Sequence, residues 1–129
     1  QGKYEEAEPL CRRAMEITKR RLGEAHPDYA TRVNNLASLL KNQGKYSEAE
    51  PLYRLSVDIT TARMGEEHPD LAQRLNNLAD LLYHQGKYQE AEPLYRRAMT
   101  ITEKTLGVGH PDFAQRLNNL AVSLESQVR

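Results

Sequence analysis

One stretch of 42 residues decides the fold of this chain: QGKYSEAEPLYRLSVDITTARMGEEHPDLAQRLNNLADLLYH, residues 43–84. The same pattern fills residues 1–42 and 85–126 without an insertion, and 23 of the 42 positions are identical in all three copies. Residues 127–129 begin a fourth copy. A fixed period of this length is the signature of a solenoid, in which each unit packs against its neighbours.

Each copy carries the pattern of two helices. In the central copy Gly44 and Gly65 mark helix ends, because glycine tolerates the left-handed conformation of a C-terminal cap. The sequence His-Pro-Asp at 68–70 begins a helix, since proline suits the first helical position and an early acid favours the positive end of the helix dipole. Pro51 lies in early turns, where we expect a slight bend and no break. The apolar spacing predicts an all-α chain with six helices, at about 4–21, 28–42, 46–63, 70–84, 88–105 and 112–127.

The composition excludes several classes of partner. The chain has 18 basic and 18 acidic residues, so its net charge is zero and it predicts neither nucleic-acid binding nor a polybasic membrane anchor. No apolar run is long enough to cross a membrane, and no signal peptide opens the chain. The single cysteine, Cys11, fits a reducing compartment, so we expect a cytoplasmic protein.

The domain organisation follows from where the pattern starts and stops. The chain begins in the middle of the pattern, on the second helix of a pair, and it stops on the first helix of another pair. We therefore expect residues 1–129 to be one array, cut from a longer protein. Both terminal helices would then expose apolar faces that a neighbouring helix normally covers.

The histidines do not predict a metal or catalytic site. Three of them occupy one repeat position, immediately before a proline, and should lie a whole repeat apart. We expect them to begin helices. His84 has no cysteine or histidine at ligand spacing. The three residues that share the repeat position are His26, His68 and His110.

The remaining candidates for chemistry also have structural interpretations. Cys11 stands where the other copies have Tyr53 and Tyr95, a core position, so we expect a buried and inert thiol. The Glu-Ala-Glu pairs lie at helix starts, where negative charge is favourable. The sequence therefore predicts no catalytic residue, no metal and no cofactor, and the protein is not expected to be an enzyme.

The repeat resembles a known family. Leu36-Ala37, Leu40, Gly44, Tyr46, Ala49 and Tyr53 look like signature positions of the tetratricopeptide repeat, and the match recurs one period later. The longer unit, with HPD, LNNLA, QGKY and EAEPLY together, resembles the kinesin light chain type. The resemblance implies a right-handed superhelical solenoid of antiparallel helix pairs. It also implies an adaptor or scaffold, whose first helix in each pair lines a concave groove for a peptide or protein segment.

Carried over position by position, the resemblance implies a groove rich in asparagine. Lys41 is its only basic residue. We expect three arginines, each one residue beyond a groove position, to point aside: Arg32, Arg74 and Arg116. Asp80 and Glu125 would repel an anion, so a neutral or mildly basic ligand fits better than an acidic one. The implied groove residues are Thr31, Asn34, Asn35, Ser38, Lys41 and Asn42, then Gln73, Asn76, Asn77, Asp80, Tyr83 and His84, then Gln115, Asn118, Asn119, Val122, Glu125 and Ser126.

Two interpretations of these residues remain open. An amide offers both donors and an acceptor, so asparagines opposite the buried leucines could pair with a peptide backbone. Alternatively Asn34, Asn76 and Asn118 hydrogen-bond each other or a neighbouring helix, as a structural ladder. Tyr83 and His84 differ most from the matching residues of the other copies and are candidates for ligand specificity. The alternative is that Tyr83 is a part-buried tyrosine and His84 a solvated histidine, neither with that role.

The second interpretation has its own functional hypothesis. The terminal helices are complementary, because the last helix lacks the kind of partner that the first would supply. The sequence therefore also predicts a structural array whose copies associate head to tail. Such a contact is heterologous and can grow into a filament.

Overall fold

In the computed structural model, which describes residues 2–128, the chain forms six α-helices and no strand. Each helix lies within two residues of its predicted bounds, so the all-α prediction is confirmed. α3 continues through Pro51 without a break. The helices are α1 (Gly2–Leu22), α2 (Pro27–Asn42), α3 (Tyr46–Met64), α4 (Pro69–His84), α5 (Tyr88–Leu106) and α6 (Pro111–Gln127).

Both ends of the helices α2 and α4 are capped as the repeat predicts. At the start of α2, α4 and α6 the histidine is the N-cap, and its Nδ1 accepts the backbone N–H of the aspartate two residues later, 3.0 Å away. After α2, Gly44 has a φ of +81°, and the N–H of Lys45 donates to the carbonyl of Leu40 at 2.9 Å. This left-handed ending satisfies carbonyls that the helix leaves open. The helix-start role expected for the histidines is confirmed.

The chain divides into two compact units, on either side of the bond between Arg63 and Met64. In the first unit, α2 contacts both α1 and α3. Its core is a cluster of Tyr29, Ala30 and Val33 from α2 with Ile59 from α3, and Met15 and Leu52 pack against it. A buried serine of α3 also donates to the Ala30 carbonyl at 3.1 Å.

In the second unit, α5 packs against both α4 and α6. One apolar stripe of α4 is buried. Two small residues, Ala91 and Ala98, let α5 approach its neighbours closely, since both are fully buried. The buried residues of the α4 stripe are Leu71, Leu75, Leu78, Ala79, Leu81 and Leu82.

One repeated carboxylate ties the second helix of a pair to the helix that follows. Glu92 of α5 accepts a hydrogen bond from Gln127 of α6 at 2.9 Å and pairs with Arg96 at 2.8 Å. At the equivalent position Glu8 accepts from Gln43 at 3.2 Å. These side-chain hydrogen bonds hold the pKa of Glu8 and Glu92 below its ordinary value.

Cys11 departs from the expectation of a buried thiol, because it is only partly buried. At the same repeat position Tyr53 is buried, and its hydroxyl lies 2.8 Å from Ser38 of α2. α1 is the first described helix, so none of the described helices covers Cys11 as α2 covers Tyr53. Neighbouring helices therefore decide the burial of a repeated position.

No helix between residues 2 and 128 is long and apolar enough to cross a membrane. Within that same range, no group of three or more His, Cys, Asp or Glu side chains is arranged to hold a metal ion.

Candidate functional site

The predicted groove residues lie on α2, α4 and α6, and they differ in accessibility. Exposed side chains belong to Asn35, Asn42, Gln73, His84, Gln115, Asn118, Val122 and Glu125. The partly buried ones are Thr31, Ser38, Lys41, Asn77, Asp80, Tyr83, Asn119 and Ser126.

Asn34 and Asn76 are buried, with 6% of each exposed. This differs from the expectation that the asparagines lie opposite the buried leucines. On α4, Asn76 is four residues after Ala72 and three before Ala79, so all three share one helix face, and both alanines are buried. Asn118 occupies the same repeat position on α6 and is exposed. The first asparagine of the pair therefore belongs to the core on α2 and α4.

A chain of polar side chains joins the three helices of the second unit. Asn119 Nδ2 of α6 donates to Asn76 Oδ1 of α4 at 3.1 Å, and Asn76 Nδ2 reaches Asp80 Oδ2 at 3.5 Å. The Tyr95 hydroxyl of α5 donates to Asp80 Oδ1. Burial and this hydrogen bond raise the pKa of Tyr95, so it stays the donor and Asp80 the acceptor. The hydrogen bond between α4 and α6 therefore involves Asn119, whereas the sequence led us to expect Asn118.

Tyr83 also contacts α6. Its hydroxyl lies 2.8 Å from the Ser126 hydroxyl, and its ring packs 5.2 Å from that of Tyr88. His84 Nδ1 lies 2.7 Å from the Asp80 carbonyl, and its side chain is exposed. Tyr83 therefore has a structural contact, and His84 is the more accessible of the two specificity candidates.

A polar cavity of about 340 Å³ lies between α4 and α6. We call it the α4–α6 cavity. Carboxylates and amides of both helices form most of its wall, so it offers donors and acceptors close together. Its lining residues are Pro69, Asp70, Gln73, Asn76, Asn77 and Asp80 from α4, and Asp112, Gln115 and Arg116 from α6.

Arg116 is the residue of this cavity that sequence reasoning missed. It was expected to point aside, yet it lines the cavity and is only 7% exposed. Its buried Nε has no hydrogen-bond partner among the described residues. Burial lowers the pKa of the guanidinium, and the carboxylates of Asp112 and Asp80 act in the opposite direction. The signal available in the sequence was an arginine at this position in all three copies.

The family model of the tetratricopeptide repeat matches residues 1–62, 31–104 and 70–127, which together span nearly the whole chain. The chain belongs to the tetratricopeptide repeat family. The TPR resemblance predicted from the repeated motifs is confirmed.

Solved structures with the same fold agree with this assignment. A crystal structure of BtubC (BKLC) from P. vanneervenii is 25% identical, with a TM-score of 0.88, over 98% of this chain and 50% of that chain. A putative kinesin light chain of Podosopora anserina, with nearly identical TPR-like repeats, is 27% identical with a TM-score of 0.89, over 98% of this chain and 60% of that chain. A single-substitution variant of that protein has the same identity and TM-score. The present chain therefore spans half to three fifths of these proteins and resembles a kinesin light chain-like TPR array.

Proposed function

We propose that this chain is a protein-interaction module that binds a peptide or protein segment through polar side chains of its first-of-pair helices. Membership in the TPR family, whose repeats generally serve protein–protein interaction, supports this. The observation that carries the proposal is the α4–α6 cavity, because it gathers polar groups of two helices around an open space. The predicted residues of α2 (Thr31, Asn34, Asn35, Ser38 and Lys41) belong to the same proposal.

Amides would do most of the recognition. Gln73 and Gln115 are exposed and line the α4–α6 cavity, with Asn77 beside them. Each amide can pair with both the N–H and the carbonyl of an extended backbone. Acidic groups in the same wall disfavour an acidic ligand and favour a neutral or basic one.

A displayed random-peptide library tests the proposal, with the unmodified chain and the variant Gln73→Ala/Gln115→Ala as parallel targets. Both glutamines are exposed, so the variant should keep its helical circular dichroism and its melting temperature. We expect peptides that enrich on the unmodified chain and are lost on the variant. Equal enrichment on both targets, or on neither, would contradict binding at this surface.

We also propose a second function, head-to-tail association of copies, because α1 and α6 each expose an apolar face. Leu117 of α6 is 45% exposed, whereas Val33 at the same repeat position is fully buried. Ile17 of α1 is 49% exposed, whereas Ile59 is buried. In the first unit Val33 and Ile59 belong to one cluster, which suggests how Ile17 of one copy would pack on Leu117 of another.

Two single variants test this contact. Ile17→Glu and Leu117→Glu should each remain monomeric in sedimentation velocity at concentrations up to about 1 mM, where the unmodified chain should associate. Because the contact is heterologous, an equimolar mixture should restore a dimer, since each variant keeps one intact face. Val108→Glu is the control, because glutamate occupies its position in the other two copies. A monomeric unmodified chain would refute the second function.

A further inference from the structure

The α4–α6 cavity has an uneven charge distribution. Three carboxylates and one guanidinium line it, which leaves two negative charges in the wall. Outside the lining, Arg74 interacts electrostatically with Asp70 and offsets part of this charge. In a partly enclosed site, a positive group would be attracted and an anion repelled.

The three carboxylates have different roles. Both oxygens of Asp80 accept hydrogen bonds from side chains, so Asp80 is held in place and contributes mainly charge. Asp70 and Asp112 are about half exposed. The histidine Nδ1 nearest to each lies 3.8 to 3.9 Å away and already accepts the backbone N–H of the helix cap. Asp70 and Asp112 therefore face the cavity with acceptor capacity for a ligand.

Arg116 adds a feature that points to a ligand. The Arg116 side chain is nine-tenths buried, and its Nε has no hydrogen-bond partner among residues 2–128, which is costly because desolvation is not offset by a hydrogen bond. A segment entering the cavity could offer an acceptor oxygen to this side chain. A neutral backbone carbonyl suits the net negative wall better than a carboxylate does.

The size of the cavity limits what it holds. About 340 Å³ is at the small end of ligand sites, which run from about 300 to 1,000 Å³. It would take one side chain and the adjoining backbone, while the rest of a bound segment lies outside.

We propose that the α4–α6 cavity is a subsite for one lysine or arginine side chain of the bound segment, held by Asp70 and Asp112, with a neighbouring backbone carbonyl at Arg116. This inference rests on the proposed peptide-binding function. It adds a ligand class, a segment with a basic residue, to a site that otherwise recognises backbone.

Short synthetic peptide libraries test the subsite. Each has acetylated and amidated ends, random flanks and a fixed central lysine, arginine, norleucine or glutamate, and binding is measured by fluorescence polarisation. We expect the lysine and arginine libraries to bind about fivefold tighter than the norleucine library, the scale of a partly exposed ion pair. The glutamate library should bind weakest. Raising the ionic strength from about 0.05 M to about 0.5 M should reduce the preference.

The variant Asp70→Asn/Asp112→Asn should remove the preference for a basic residue and leave norleucine binding unchanged. Asp28→Asn is the matched control, because Asp28 has the same repeat position in α2 and the same place in a first helical turn. It should keep the preference.

The outcomes separate the two proposals. If the libraries bind but show no preference for a basic residue, or if Asp70→Asn/Asp112→Asn retains that preference, the subsite is refuted and the binding function stands. If no library binds, both are refuted.

Discussion

The hydrogen bond between Asn119 and Asn76 predicts that Asn76 stabilises the folded chain. Replacing Asn76 by alanine removes the 3.1 Å hydrogen bond from Asn119 and the 3.5 Å contact to Asp80. The first has good geometry, so we assign it about 1 kcal/mol, and the second is long and contributes little. Loss of packing at a buried site adds to this. Asn76→Ala should therefore lower the free energy of unfolding by about 1–2 kcal/mol.

Urea unfolding followed by circular dichroism measures this effect, with Asn118→Ala as control. Asn118 has the same repeat position but is exposed, and alanine is the better helix former, so Asn118→Ala should raise stability by a few tenths of a kcal/mol. A double-mutant cycle of Asn76 and Asn119 should give a coupling of about 0.5–1.5 kcal/mol. If Asn76→Ala destabilises no more than Asn118→Ala, or if the coupling is absent, the hydrogen bond between Asn76 and Asn119 does not stabilise the array.

Three further changes have defined outcomes. Ser123→Ala should raise the free energy of unfolding by about 1 kcal/mol, because the buried Ser123 hydroxyl has no hydrogen-bond partner among the described residues; chemical denaturation checks this. Ala79→Leu should cost roughly 1–3 kcal/mol by overpacking a fully buried position, whereas Ala121→Leu, exposed at the same repeat position, should change the melting temperature little. Glu92 has a lowered pKa in the folded chain. Its contribution to the free energy of unfolding is therefore present at a pH above the ordinary pKa of 4.5 and is lost as the pH falls through the lower pKa of the folded chain. Acid titration of Glu92→Gln should then show a smaller loss of stability over that range than the unmodified chain, and an equal loss would contradict the assigned hydrogen bond from Gln127.

The helices could be predicted closely because their ends are encoded locally. The His-Pro-Asp sequence supplies an N-cap and a preset first residue, and a glycine after α2 and α4 supplies the positive φ of the ending. The 42-residue period then repeats each signal, so chance agreement is improbable. Family membership could be predicted from the same repeated positions.

The candidate site could be predicted only in part. Burial depends on which helices lie beside a residue, and the residue type at a repeat position does not reveal this. Asn76 and Asn118 share a position and a residue type, yet one is buried and the other exposed. Cys11 and Tyr53 differ for the same reason. The burial of Arg116 could not be predicted, because it depends on how α6 sits beside α4 and α5.

Mapping the protein residues that a bound peptide contacts tests the proposed binding surface most directly. A lysine-containing peptide from the library selection would be titrated into isotopically labelled protein, and the amide shifts of backbone and side chains followed by NMR. We predict that the largest changes occur around the α4–α6 cavity, including the side-chain amides of Gln73, Asn77 and Gln115. Changes confined to the apolar face around Leu117, or no changes at saturating peptide, would contradict the proposed function.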